Sequence, residues 1–177
     1  ETKVASERSL LDMSGGVNPE VSVLRFATLF GISPRMRFDL TVNEFTRDLL
    51  TNKKLSIYGE QHWRPYVHVV DAGRAISEIL ETSPELISGQ VFNVGDSNQN
   101  YQKGKIVEMI CEQLEYGVTI ENVYKQEDPR DYRVSFSKIH ETINYQITRD
   151  VNFGINEIIN AVSQNVFTDL DHSRYRN

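Results

Sequence analysis

The sequence predicts an α/β fold built on a mostly parallel sheet. Three observations predict it. Short runs rich in β-branched and aromatic residues have strand length. Between them lie segments whose apolar residues recur in helical phase. The two kinds alternate along most of the chain, at a spacing that suits strand–helix–strand units.

The elements follow in order. Residues 2–13 read as a helix, with Val4, Leu10 and Leu11 apolar and Lys3, Glu7 and Arg8 polar. Ser14-Gly15-Gly16 is the expected stop, with Pro19 in the loop beyond. Val21–Thr28 (VSVLRFAT) is a strand, and the loop Gly31–Arg37 carries two arginines. Asp39 is the expected N-cap of a helix to Leu50 that buries Val42, Phe45 and Leu49. Strands are expected at Leu55–Tyr58 and Tyr66–Val70. Asp71 would then cap a helix with Ala72, Ala75, Ile76, Ile79 and Leu80 as its buried stripe. Gln90–Val94 is a strand closed by Gly95, and Lys103–Leu114 is a helix with Ile106, Ile110 and Leu114 in phase. A strand at Val118–Val123, a short helix at Ser137–Thr142 and a helix at Ile155–Val166 complete the set.

Composition bounds the function. The chain has 177 residues, enough for a sizeable core, and 39% of them are hydrophobic, as in ordinary globular proteins. A formal net charge of −6 gives no electrostatic reason to expect nucleic acid or an anionic membrane as partner. No apolar run approaches the roughly 20 residues that span a bilayer. The opening Glu1-Thr2-Lys3-Val4 lacks the basic start and apolar core of a signal peptide. A single cysteine, Cys111, excludes an internal disulfide and suits a cytoplasmic setting. It lies among Ile106, Val107 and Ile110, where a buried structural thiol is the default. His62, His68, His140 and His172 show no ligand spacing, so no metal site is expected. Glycine-rich phosphate loops and a GxSxG elbow are also missing from the sequence. The chain opens on glutamate inside a helix, which reads as the cut end of a longer protein.

Local chemistry leaves several readings open. Thr28 leaves a strand toward a loop, where open α/β sheets meet ligands, yet an ordinary turn threonine fits as well. Arg35, Arg37, Arg64, Arg130 and Arg133 lie in loops or at element edges. Guanidinium groups grip phosphate bidentately, although surface ion pairing is the default for any one of them. Tyr58, Trp63 and Tyr66 could stack on a base, but packing is their ordinary role. His68, between two valines in a strand, fits a hydrogen-bonded structural histidine better than a general base.

The ordered pieces VLRFATLFG (23–31), SIYGEQHWRPYVHVVDAGRAI (56–76), QVFNVGDSNQNY (90–101) and EDPRDYRVSFSKI (127–139) carry a resemblance. Together they are similar to the extended short-chain dehydrogenase/reductase family, whose text runs LRxxNxYG, then YGxGxQxRDYxHVxDxAxA, then NxG. The family includes NAD-dependent nucleotide-sugar epimerases and 4,6-dehydratases. The resemblance implies the later part of a Rossmann-type parallel-sheet domain plus a smaller mixed α/β substrate-binding domain. Residues 1–30 and 64–95 would belong to the NAD(P)-binding domain, and residues 31–63 and 96–177 to the nucleotide-sugar domain. The glycine-rich loop and the first Rossmann half would lie upstream.

The family's chemistry rests on a YxxxK pair, in which the lysine holds the nicotinamide ribose and lowers the tyrosine pKa. A nearby cation favours phenolate and so makes a weak base useful. ETKVASE resembles the end of YxxTKxxxE, which matches Lys3 to the lysine and Glu7 to the glutamate. The tyrosine would precede Glu1. The resemblance further implies that Phe26 lines the nicotinamide and that Thr28 meets the substrate diphosphate, although the family commonly has asparagine there. Ser56 and Tyr58 fall on a strand that pairs with the base, and Arg64 on the diphosphate-binding arginine of RDYxHV, with Pro65 replacing the aspartate. Asn93 matches the asparagine of NxG, a site-shaping position, and Arg130 an arginine that reaches phosphate or ribose. Arg35 and Arg37 fit a subgroup of unnamed reaction. The implied function is a NAD(P)-dependent nucleotide-sugar epimerase or 4,6-dehydratase, with NAD or NADP as cofactor and a homodimer formed through the residue 2–13 helix. The alternatives are a NAD(P)H-dependent reductase of the same fold and a non-catalytic nucleotide-sugar-binding relative.

Overall fold

A computed structural model describes residues 2–13, 20–123 and 130–176. The expected helix stop at Ser14-Gly15-Gly16, the Pro19 loop and the Glu127–Pro129 part of the last motif lie outside the described residues. The first helix, α1 (Thr2–Met13), buries none of its residues and leaves Val4, Leu10 and Met13 exposed. Its tie to the sheet is an ion pair, in which Arg25 Nε donates to Glu7 Oε2 at 2.9 Å.

The run expected as one strand serves two sheets. β1 (Val23–Phe26) pairs in parallel with β5 (Val91–Val94), and the Ala27 N–H still reaches the Val94 carbonyl at 3.1 Å. The chain then changes partner, and β2 (Thr28–Phe30) pairs in parallel with β4 (Trp63–His68). β3 (Lys54–Tyr58) pairs in parallel with β7 (Thr119–Val123), while β6 (Asn100–Gln102) adds to β4 antiparallel. Three of these four pairings are parallel, as expected for the fold class.

Two helix starts differ from expectation, each for a traceable reason. α2 spans Thr41–Thr51 and its N-cap is Leu40, which makes no side-chain cap. Asp39 does not cap it, because Arg37 engages both carboxylate oxygens at 3.0 and 2.7 Å. α3 spans Val69–Glu81, and its cap is His68, whose Nδ1 accepts from the Val70 N–H at 3.2 Å. The His68 Nε2 is held 3.0 Å from Glu157 Oε2, so both ring nitrogens are engaged and the histidine is structural. Asp71 sits within the first turn, fully buried, and accepts from the Thr148 N–H and hydroxyl, the Arg149 N–H and Arg74. Ala72, Ala75 and Ile79 are buried as expected, but Ile76 and Leu80 are exposed.

The remaining helices are a short α4 (Pro84–Ile87), then α5 (Lys103–Cys111), α6 (Ser137–Ile143) and α7 (Val151–Ser163). α5 ends before Leu114, and Cys111 is partly buried, its thiol pKa raised by that burial. α7 begins four residues earlier than its apolar period suggests, because Asp150 caps it through the Phe153 N–H at 2.8 Å. Two apolar clusters organise the chain. One gathers α2, α5 and α7 around Phe38, Leu49, Ile106 and Ile155. The other gathers Ala27, Val67, Ala75, Phe92 and Val94 with Phe136, Ile139 and Tyr145.

Glycines on two helices should respond oppositely to alanine. A Cβ on Gly154 would stand 2.4 Å from the Phe30 ring, whereas a Cβ on Gly73 meets nothing within 4 Å. Gly73→Ala should therefore stabilise by about 0.5–1 kcal/mol, from helix propensity alone. Gly154→Ala should destabilise by about 1–3 kcal/mol, because overpacking outweighs that gain. Urea unfolding of the two variants checks the opposite signs.

Candidate functional site

One polar concavity is a cleft of about 590 Å³ bounded by α2, β3, the start of β4 and the first turn of α5. Its floor is a strand edge. The Thr119 N–H bonds the Lys53 carbonyl at 2.9 Å and the Gly59 N–H bonds the Val123 carbonyl at 3.3 Å, which frames the β3–β7 ladder. In a parallel ladder alternate residues face the same neighbour, so Leu55 and Ile57 turn their backbone groups to β7. The backbone groups of Lys54, Ser56 and Tyr58 then point to the other edge. There the Lys103 ammonium donates to the Tyr58 carbonyl at 3.1 Å.

Cations gather at one end. Arg64, Lys103 and Arg130 line the cleft together with Tyr58. Arg64 is buried, at 6% exposure, and its Nη1 donates to the Trp63 carbonyl at 2.7 Å and to the Arg130 carbonyl. Its guanidinium also lies 5.8 Å from the centre of the Tyr132 ring. Carboxylates line the α2 side: Asp39, Glu44 and Asp48. Asp48 is paired with Arg47 at 2.6 Å. Burial, and then the Asp48 charge, push the Glu44 carboxyl above its ordinary value. The arrangement offers alternating N–H and C=O groups to a flat polar heterocycle and clustered cations to an anion.

A second concavity of about 730 Å³ lies between α1 and β1, lined by Lys3, Glu7, Leu10, Leu24, Phe26 and Leu29 among others. Phe26 is 39% exposed there, so an apolar ring and an ammonium share one surface.

Four expected substrate residues, Ser56, Tyr58, Arg64 and Arg130, thus meet in the first cleft, and the expected cofactor pair Lys3 and Phe26 in the second. Three stand elsewhere. Thr28 opens β2 opposite Tyr66 in the β4 register. Arg35 lines a small hollow of about 160 Å³ with Gly31, Arg37 and Asn43. Asn93 donates from its side-chain amide to the Ser135 carbonyl at 3.2 Å, a tie between β5 and the segment before α6. Sequence reasoning missed Lys103, Thr41, Glu44 and Asp48. Lys103 opens a helix and resembles any surface lysine in sequence, and the α2 carboxylates read as a solvated helix face.

Among the described residues, no group of three or more histidine, cysteine, aspartate or glutamate side chains is arranged to hold a metal ion, and no helix is long and apolar enough to cross a membrane. Fold and clefts together define an α/β protein with a polar cleft, lined by Arg64, Lys103 and Arg130 at one end, beside a parallel sheet. Residues 1–95 match the model of the NAD dependent epimerase/dehydratase family, and the chain belongs to that family. Solved structures agree on a Rossmann-type fold. UDP-glucuronic acid 4-epimerase from Bacillus cereus, in complex with UDP-glucuronic acid and NAD, is 22% identical with a TM-score of 0.78 over 92% of this chain and 51% of its own. A dTDP-glucose 4,6-dehydratase from Bacillus anthracis in complex with NAD is 22% identical, with a TM-score of 0.73 over 92% of this chain and 51% of its own. RMD from Pseudomonas aeruginosa complexed with NADPH is 18% identical, with a TM-score of 0.76 over 89% of this chain and 53% of its own. The chain spans about half the length of these structures.

Proposed function

We propose that the 590 Å³ cleft binds the nucleoside diphosphate of a nucleotide-sugar, and that the chain is part of a NAD(P)-dependent nucleotide-sugar epimerase or 4,6-dehydratase, with portions of both its cofactor and its substrate domain. One observation carries the reading. Ser56, Tyr58, Arg64 and Arg130 are separated by as many as 74 positions in sequence, yet they line one cleft. The edge of β3 turned away from β7 takes the base through backbone groups of Ser56, and Arg64, Arg130 and Lys103 take the diphosphate. Arg64 is buried, and that burial strengthens its charge-assisted hydrogen bonds.

Lys3 and Phe26 line one concavity and would hold NAD or NADP there, Lys3 through ribose hydroxyls and Phe26 against the nicotinamide. The dinucleotide supplies a transient acceptor for hydride from the sugar. In the family's YxxxK pair, the position matched by Lys3 would set a cation beside the proton-accepting phenol and so favour its ionised form. We assign residues 1–30 and 64–95 to the cofactor domain and residues 31–63 and 96–177 to the substrate domain. The exposed Val4, Leu10 and Met13 of α1 support a homodimer through that helix. A cytoplasmic setting suits the single cysteine.

Calorimetric titration of the chain with UDP, GDP, dTDP, CDP and ADP, and with the matching nucleosides, tests the reading. Saturable binding of at least one diphosphate, with the nucleoside at least about tenfold weaker, is expected from the loss of one charge-assisted contact or more. Equal affinity for diphosphate and nucleoside would contradict the role given to the arginines.

A further inference from the structure

The segment that carries Arg130 lies against β4 and β6, held mostly through side chains and by one backbone hydrogen bond. Asp131 Oδ1 accepts from the Trp63 N–H at 2.7 Å, and Asp131 Oδ2 stands 3.4 Å from Nδ1 of the buried His62. Arg64 Nη1 bridges the Trp63 and Arg130 carbonyls. Further along, the Tyr132 N–H meets the Trp63 carbonyl at 3.4 Å, Arg133 lies 4.9 Å from the Trp63 ring centre, and the Val134 N–H meets Asn100 Oδ1 at 2.9 Å. Trp63 is therefore gripped through its N–H, its carbonyl and its ring by three successive residues of one strap. The Asp131 carboxyl is held below its ordinary range, first by the Trp63 N–H and then by His62 and Arg64.

We infer that Asp131 is a positioning residue, which with Arg64 staples the strap 130–134 to Trp63 and thereby fixes Arg130 at the cation end of the cleft. The inference rests on the nucleoside diphosphate reading of that cleft. An arginine on an untethered strap would lose both backbone and side-chain freedom on meeting a phosphate, and that ordering opposes binding. The staple places this ordering in the unliganded protein.

Electrostatics gives the staple a decisive signature. Asp131 is an anion on the strap beside a site for anions, so deleting its charge should strengthen diphosphate binding if charge were its only influence. The staple predicts the opposite. The probe is the tightest-binding of UDP, GDP, dTDP, CDP and ADP, titrated into wild type, Asp131→Ala, Asp131→Asn, Arg130→Ala and the double variant Arg130→Ala/Asp131→Ala. Asp131→Ala should weaken diphosphate binding by about tenfold, the order of one charge-assisted hydrogen bond. Nucleoside binding should change less than about twofold, and Asp131→Asn should recover most of the loss, since its amide oxygen can still accept from the Trp63 N–H. The double variant should bind no worse than Arg130→Ala, because residues acting as a unit are not additive. Tighter binding by Asp131→Ala, or losses that multiply in the double variant, would overturn the staple.

Hydrogen exchange separates this failure from failure of the nucleotide reading. In the unliganded chain, Asp131→Ala should speed exchange at the Trp63 and Tyr132 amides and leave β3 unchanged. Unchanged exchange there overturns the staple whether or not any nucleotide binds. Faster exchange with no nucleotide bound by wild type would keep the strap tether and sink the reading of the cleft, and with it the role of Asp131 in positioning Arg130 for phosphate.

Discussion

Replacing Asp71 with alanine is expected to lower the stability of the chain by about 3–5 kcal/mol, the cost of breaking a buried, fully hydrogen-bonded charge. Its carboxylate is 0% exposed and joins α3 to the turn before α7, accepting from the Thr148 N–H, the Thr148 hydroxyl, the Arg149 N–H and Arg74. Removal leaves the Thr148 and Arg149 N–H groups without their acceptor. Burial pushes the Asp71 pKa up, but the hydrogen bonds from Thr148, Arg149 and Arg74 outweigh it, so the folded value lies below the ordinary one. A lowered folded pKa means stability that is fully present above the unfolded value of about 3.9 and lost as pH falls through the folded value. Below about pH 4, wild type should therefore lose stability more steeply than Asp71→Asn, which has no carboxyl to protonate. Urea midpoints between pH 7 and pH 2.5 measure both effects, and parallel profiles would contradict the assignment.

Arg64→Ala should weaken nucleoside diphosphate binding by about 30- to 1,000-fold, or about 2–4 kcal/mol, in the range for truncating one side of a buried charge contact. Two contributions add. The guanidinium faces the cleft that holds Arg130 and Lys103, and its Nη1 holds the Trp63 and Arg130 carbonyls. Arg64→Lys should recover little, because an ammonium keeps the charge but cannot span two carbonyls and an anion as a planar fork does. Calorimetry gives the affinity, and thermal unfolding of the same variants separates lost binding from lost folding. Full affinity in Arg64→Lys would show that charge alone matters.

Much of this was legible in sequence because it depends on local pattern. The apolar period of residues 103–110, the β-branched runs of β1 and β5, and the parallel character of the sheets all follow from neighbours in the chain. What was hidden depends on partners far away. Asp39 and Asp71 both look like N-caps, yet Arg37 claims one and residues 148 and 149 claim the other. The break at Ala27 is invisible in VLRFATLF, since both halves have strand composition and only the choice between β5 and β4 divides them. At the site, Ser56, Tyr58, Arg64 and Arg130 were named through the family resemblance, since their local surroundings favoured ordinary surface roles. Asp131 stayed unseen because its partner, the Trp63 N–H, is a backbone group that carries no mark in the sequence.

We propose that a nucleoside diphosphate lies along the edge of β3 turned away from β7, with its phosphates at Arg64 and Arg130. Amide-resolved hydrogen exchange of the chain, with and without the nucleoside diphosphate that binds most tightly, tests it most directly. New protection is expected at Ser56, around Lys103 and along residues 130–132, with the amides of α1 and β1 unchanged. Protection confined to the Lys3 and Phe26 cleft, or saturable binding that leaves β3 and the strap unprotected, would contradict it.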